Sequence, residues 1–320
     1  MRFYLAPMEG ITGYIYRNAV HDFFGDGITK YYTPFIAPRP KKGMASKERR
    51  GLLPENNPGI PLVPQILTNK AEDFLTLSEE ICDTYGYEEI NLNAGCPSKT
   101  VVGHGKGSGI LKDTEAYDRF LEEIFAKAKC KISVKTRLGM EDPEEFARLL
   151  GIYNQYPITE LTIHPRLQTD QYKGTVRMDD FCVALDKCKM PVVYNGDIYT
   201  VQDYREKMQY IKDHCKNTVC AVMLGRGMLR NPALARELYQ SDLSENENAG
   251  APTKEELRAY HDRIFTSYKD LFDGEMPLLF HMKELWASMG GLFPDQEKAL
   301  KKIRKSGNVA EYLAGVHEIL

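Results

Sequence analysis

The stretch LNAGCPSKTVVG at residues 92–103 sets a lone thiol, Cys96, between Gly95 and Pro97, directly after an apolar run that reads as a buried strand. A thiol in such a place can give up a proton, and an ordinary pKa of about 8.5 keeps most of it protonated near neutral pH. Similar strand tips recur along the chain and carry Met8, Gln65, Asn93, Lys135 with Arg137, His164 with Arg166, Asn195 with Asp197, and Gly225 with Arg226. Amides, cations, an imidazole and a thiol gathered in one place can bind a polar ring and move protons beside it. They act together only if the fold brings all these tips to one rim.

The elements that would do so are eight short apolar or β-branched runs, at 3–8, 28–34, 62–66, 89–95, 132–137, 160–166, 191–197 and 221–227. Stretches of helical periodicity follow them, several opened by capping or first-turn residues such as Asn69, Asp113, Pro143 and Thr200. Eight β-then-α units within about 240 residues predict an α/β fold, a (β/α)8 TIM barrel, in which functional residues stand at the C-terminal strand ends. A doubly wound open sheet is the alternative, but the first turn, APMEGITG, is not the G-x-G-x-x-G of that fold. Residues 1–240 would form the barrel and SDLSENENAGAPT at 241–253 a linker. Residues 254–320, helical throughout, would form a small all-helical C-terminal domain.

Within that frame NGD at 195–197 and GRG at 225–227 suit a phosphate. Glycine lets backbone N–H groups approach, and barrels often bind phosphate after strands seven and eight. A flavin phosphate accounts for the other tips: Gln65 can bond the pyrimidine edge of the ring, and Lys135 can stabilise its reduced form, with the Ala6-Pro7-Met8 turn behind. Plainer uses exist for each residue. Cys96 can be a packing thiol, His164 a supporting imidazole, Gln65 a partner for backbone groups and Asp197 a helix cap. GHGKGSG at 103–109 lacks the GK[ST] ending of a phosphate loop and reads as a loop at the mouth.

Seven motifs in order, APMEGIT (6–12), PQIL with Gln65, NLNAGCP (91–97), SVKTRLG (133–139), TIHPR (162–166), NGDI (195–198) and LGRGMLRNP (224–232), together resemble the tRNA-dihydrouridine synthases of bacterial type. The resemblance runs from residue 6 to about 240 and more loosely into the tail. It implies an enzyme that reduces the C5=C6 bond of a uridine in folded RNA, most simply tRNA, with FMN recharged by NADPH. Hydride would pass from FMN N5 to C6 and a proton from Cys96 to C5. It further implies that Pro7, Met8, Glu9, Gln65, Lys135, His164, Asn195, Gly196, Asp197, Gly225 and Arg226 contact FMN, while Asn93, Arg166 and Lys283 meet the substrate. Lys135, His164 or Arg166 would stabilise charge on the uracil O4. Leu167 stands where many members carry Thr, and Ala94 where Met is common, which leaves the target uridine open. Ribosomal RNA as the substrate, an FMN barrel reductase of small unsaturated molecules, and an RNA-binding protein without catalysis are the rivals.

Composition agrees with a globular protein that needs a local patch to meet a polyanion, since 42 Lys+Arg against 45 Asp+Glu give a net charge of −3. Residues 37–51 supply such a patch, with Arg39, Lys41, Lys42, Lys47, Arg49 and Arg50 against Glu48 alone. No leader peptide or membrane span is legible, so a cytoplasmic protein is expected; separately, a monomer is expected. The seven cysteines show no zinc spacing, so no metal is expected, and all but Cys96 read as reduced packing residues.

Overall fold

The computed structural model describes residues 1–39, 43–244 and 249–320. Nine parallel strands run in the order β3-β2-β1-β9-β8-β7-β6-β5-β4. They are β1 (Phe3–Leu5), β2 (Ile28–Tyr32), β3 (Leu62–Val63), β4 (Gln65–Ile66), β5 (Glu89–Ala94), β6 (Lys131–Gly139), β7 (Leu161–Leu167), β8 (Val192–Tyr194) and β9 (Ala221–Leu224). The ninth strand is a consequence of Pro64. Proline has no N–H for a ladder, so the third predicted run is interrupted there, β3 pairing with β2 and β4 with β5. Because only Pro64 separates the two pieces, and its carbonyl accepts from Asn91 N at 2.8 Å, the ring closes. The molecule is the TIM barrel that the eight β-then-α units predict.

The outer layer is α1 (Tyr14–Phe24), α2 (Ser46–Leu52), α3 (Ala71–Tyr85), α4 (Lys99–Gly103), α5 (Thr114–Lys127), α6 (Glu145–Tyr153), α7 (Met178–Lys187), α8 (Val201–His214), α9 (Arg226–Arg230) and α10 (Leu234–Ser241). Asp113 and Thr200 cap their helices, accepting from Ala116 N at 2.9 Å and Asp203 N at 3.0 Å. Asn69 does not, because α3 starts after Lys70 and the Asn69 amide donates instead to the His104 carbonyl. Pro143 lies two residues ahead of α6.

The tail is α11 (Lys254–Leu271), α12 (Glu275–Met289), α13 (Glu297–Lys305) and α14 (Val309–His317). It packs against the barrel through α11 on α1, where the Tyr260 ring stands 5.5 Å from Phe24 and 6.5 Å from Tyr16, so tail and barrel share one apolar core. Of the expected basic stretch, residues 40–42 lie outside the described residues, and part of the remainder forms α2 rather than a loop. One cysteine expectation fails. Cys182 of α7 and Cys215, just past α8, form a disulfide with Cα atoms 5.3 Å apart, because α7 and α8 lie side by side, a proximity that spacing along the chain does not show.

At the N-terminal end of the barrel, Lys30 pairs with Glu89 at 2.7 Å and Glu160 at 2.8 Å, and the Tyr4 hydroxyl donates to Glu160. Removing the one cation would leave two largely buried carboxylates facing each other. Lys30→Met should therefore destabilise the fold by about 3 kcal/mol in denaturant titration at pH 7, and by less at pH 4, where the carboxylates take up protons.

Candidate active site

Period-two alternation decides which side chains enter the barrel. Tyr4, Ala6, Tyr32, Val63, Val193, Ala221 and Met223 pack together inside one part of it. On the other side the inward positions are polar and form a relay. Asn93 Nδ2 donates to Gln65 Oε1 (2.8 Å), Gln65 Nε2 to Asn91 Oδ1 (2.7 Å) and Asn91 Nδ2 to Ser133 Oγ (2.9 Å). Each buried amide is thereby satisfied, as burial requires.

Above the relay, at the C-terminal ends of the strands, opens a cavity of about 450 Å³. It is lined by Pro7, Met8, Glu9, Gln65, Asn93, Cys96, Lys135, His164, Asn195, Gly196, Asp197, Gly225 and Arg226, all expected at the site. Arg166 and Lys283 do not line it. Arg166 is buried and its guanidinium is spent on Asp197, at 3.0 and 2.5 Å, and on the carbonyls of Lys173 and Gly174, so it fixes a loop instead of facing a substrate. Lys283 gives its ammonium to the Ser306 carbonyl, which ties α12 to the end of α13.

Cys96 is half-buried, and its backbone is held from both sides. Its N–H, with that of Gly95, donates to Asn93 Oδ1 at 3.0 and 3.1 Å, while its carbonyl accepts from Ser108 N and Oγ at 3.0 and 2.9 Å. Asn93 is thus a splint for the thiol loop. Gly107 completes the grip: its φ is +57°, and a Cβ there would stand 2.7 Å from the Cys96 carbonyl. The GHGKGSG segment, 103–109, runs from the last residue of α4 into a 3-10 turn at Gly107–Lys112, and its Gly107 and Ser108 stand against the Cys96 backbone. Burial pushes the Cys96 pKa up, against a Ser98 N–H bond and the charges of Arg137 and Lys135, so the group is a protonated thiol near neutral pH.

The Lys135 ammonium makes no hydrogen bond or ion pair among the described residues, and burial, reinforced by Arg137, lowers its pKa to about 7. Burial and then the charges of Lys135, Arg137, Arg166 and Arg226 hold His164 well below the usual histidine range. The neutral imidazole takes the Arg166 Nη1 proton on Nε2 at 3.2 Å, which assigns its own proton to Nδ1. Asp197, in a left-handed conformation at φ +39°, is clamped between Arg166 and Arg226 Nη2 (2.7 Å) and caps no helix. The cavity therefore keeps an uncompensated positive charge, which fits a bound anion, and at Gly225 a Cβ would lie in ordinary contact with Ala6 Cβ at 3.6 Å and Met8 Sδ at 3.8 Å, so the glycine backbone stands bare beside the Ala6-Pro7-Met8 turn. Together these features fit a flavin mononucleotide.

The lining groups outside the expected set include Arg137, Tyr172 and Tyr199. Arg137, at a strand tip to which the motifs give no role, donates to the Gly95 and Leu167 carbonyls at 2.8 Å. Tyr172, 56% exposed, stands with its ring centre 5.4 Å from the Arg137 guanidinium and 5.5 Å from that of Arg226, which also lies over Tyr199. Nothing in the loop sequence DQYKG announces that position. Among the described residues no group of three His, Cys, Asp or Glu could hold a metal, and no helix is long and apolar enough to cross a membrane.

The family model described as Dihydrouridine synthase (Dus) matches residues 4–310. The tRNA-dihydrouridine synthase B of Pasteurella multocida (strain Pm70) is 28% identical over 236 residues, 73% of this chain and 68% of that protein. The tRNA-dihydrouridine(16) synthase of Cupriavidus necator (strain ATCC 17699) is 26% identical over 333 residues, 98% of this chain and 97% of that one. Among solved structures, an N-(5'-phosphoribosyl)anthranilate isomerase from Pyrococcus furiosus aligns with 75% of this chain and 97% of its own at TM-score 0.44 and 14% identity.

The partnerless ammonium makes a pH prediction. Between pH 7 and the ordinary lysine value of 10.5, the unfolded chain binds a proton that the folded protein has released, so stability of the ligand-free protein from this group rises with pH. Lys135→Met should stabilise that protein more at pH 6 than at pH 9.5 in denaturant titration. An equal gain at both would mean that Lys135 does not lose its proton more readily in the folded protein than in the unfolded chain.

Proposed function

Because the chain belongs to the dihydrouridine synthase family, we propose that it reduces the C5=C6 bond of a uridine in tRNA, with FMN held in the barrel mouth, NADPH as the reductant of the flavin and Cys96 as the proton donor. The observation that carries this reading is a protonated thiol sharing one cavity with an unpaired ammonium and with glycine-flanked tips after β8 and β9. Bound FMN supplies the two electrons of the reduction.

This chain's residues do the rest. Pro7, Met8 and Glu9 would wall the ring, Gln65 and Lys135 would meet its polar edge, and His164, Asn195, Gly196, Gly225 and Arg226 would hold the phosphate end, with Asp197 orienting Arg226. Cys96 moves its proton to uracil C5, and the thiolate left behind is met by the Ser98 N–H and by the charges of Arg137 and Lys135. Arg137, facing the cavity where Arg166 does not, is the better cation for charge growing on the uracil O4. Asn93 acts on the substrate through Cys96, by fixing its loop. The tRNA assignment follows the names of the relatives, and the protein works in the cytoplasm as a monomer.

The test is dihydrouridine formation in an unmodified tRNA transcript with FMN and NADPH. Cys96→Ala should lose product by about 10²- to 10⁴-fold while still binding flavin and RNA; full activity in that variant removes the assigned role. Product formation should also fall as pH rises through the raised Cys96 pKa, since only the protonated thiol can donate. Ser108→Ala and Gly107→Ala keep the thiol but loosen its support, and should lower kcat by about 100-fold with KM for RNA little changed.

A further inference from the structure

The sequence of α12, EMPLLFHMKELWASM, is apolar on nearly every side, a pattern that belongs to a helix covered all round. One face is covered: Leu278, Leu279, Met282, Leu285, Trp286 and Met289 are buried. The other is not. Met276 and Phe280, one turn apart, are 71% and 67% exposed. Beside them the His281 ring is parallel to two aromatic rings of the α11 end, Tyr268 at 4.8 Å and 11° and Phe272 at 5.1 Å and 4°, with Phe280 edge-on to it at 5.6 Å.

Lys47 links this corner to the cavity. Lys47 Nζ lies 4.0 Å from Glu9, which lines the cavity, and Lys47 is also close enough to bear on His281. Burial first, and Lys47 against an opposing Glu284, hold His281 below its usual range, so the ring is neutral at pH 7. Exposed Lys47 and Arg50 of α2 bring positive charge to the same rim.

We infer that the corner formed by Met276, Phe280, His281 and Phe272 is a stacking site for an unpaired base of the RNA substrate next to the uridine that enters the cavity. The inference rests on the functional reading above. A uridine that reaches Cys96 must leave its stack, which strips one face from the neighbouring base. An aromatic platform at the rim restores that stacking, and nearby cations meet the phosphates between the two sites. Stacking accepts any base, so this surface adds affinity without reading sequence.

The measurement is the affinity of the full protein for an unmodified tRNA transcript, with NADPH oxidation in the absence of RNA as the reference activity. Phe280→Ala should weaken RNA binding and raise KM by about ten-fold, leave RNA-free NADPH oxidation unchanged, and leave the salt dependence of binding unchanged. Lys47→Ala should instead flatten that salt dependence. Phe280→Trp should retain affinity, and its added fluorescence should be quenched by RNA. A wild type that modifies RNA while Phe280→Ala binds it equally well overturns this inference alone, as does a Phe280→Asp variant whose sedimentation changes while RNA affinity does not, which would mark the patch as a surface between copies of the chain. A wild type that modifies no RNA overturns the functional reading and this inference together.

Discussion

An ammonium without a counter-charge in a closed ring of strands is the constraint around which this site is arranged. Lys135 enters the barrel because parity on β6 leaves it no other side, and Asp197, a carboxylate lining the same cavity, is taken by Arg166 and Arg226. Charging Lys135 in such a place is costly until an anion arrives. Burial first, and then the same surplus of positive charge, keep His164 neutral, and its Nε2 accepts from the Arg166 guanidinium. A positive cavity fits a phosphate-bearing, reducible cofactor better than it fits a neutral ligand.

The thiol answers a different need, which is rigidity. A loop residue can transfer a proton well only if its backbone does not wander, and Cys96 is pinned by Asn93 at its N–H and by Ser108 at its carbonyl. The splint continues inward through Gln65, Asn91 and Ser133 to the middle of the barrel. Position at the mouth is thus transmitted from strands, which are stiff, to a loop, which alone would not be.

The helical tail serves the same end. It is anchored through Tyr260 in the core shared with α1, and so its aromatic corner is held at a fixed place relative to the barrel. Lys283, carried on the same helix, serves that anchoring through Ser306.

The barrel, the rim residues and the family were legible in the chain, because strand period and tip chemistry are local. Each of the expected residues from Pro7 to Arg226 that lines the cavity stands within a few positions of a strand end. Contacts between distant loops were not. Ser108 reaches Cys96 over 12 residues and Tyr172 reaches Arg137 and Arg226 from a loop with no distinguishing composition. Arg166 matches a substrate position by motif, yet the fold gives its fork to Asp197, 31 residues away. The Cys182–Cys215 pairing and the break of a strand at Pro64 are likewise products of what stands beside what. Sequence by itself determined which groups come to the rim; tertiary packing decided which of them are already engaged, because a hydrogen bond consumes a donor or acceptor according to its spatial neighbours and not its place in the chain.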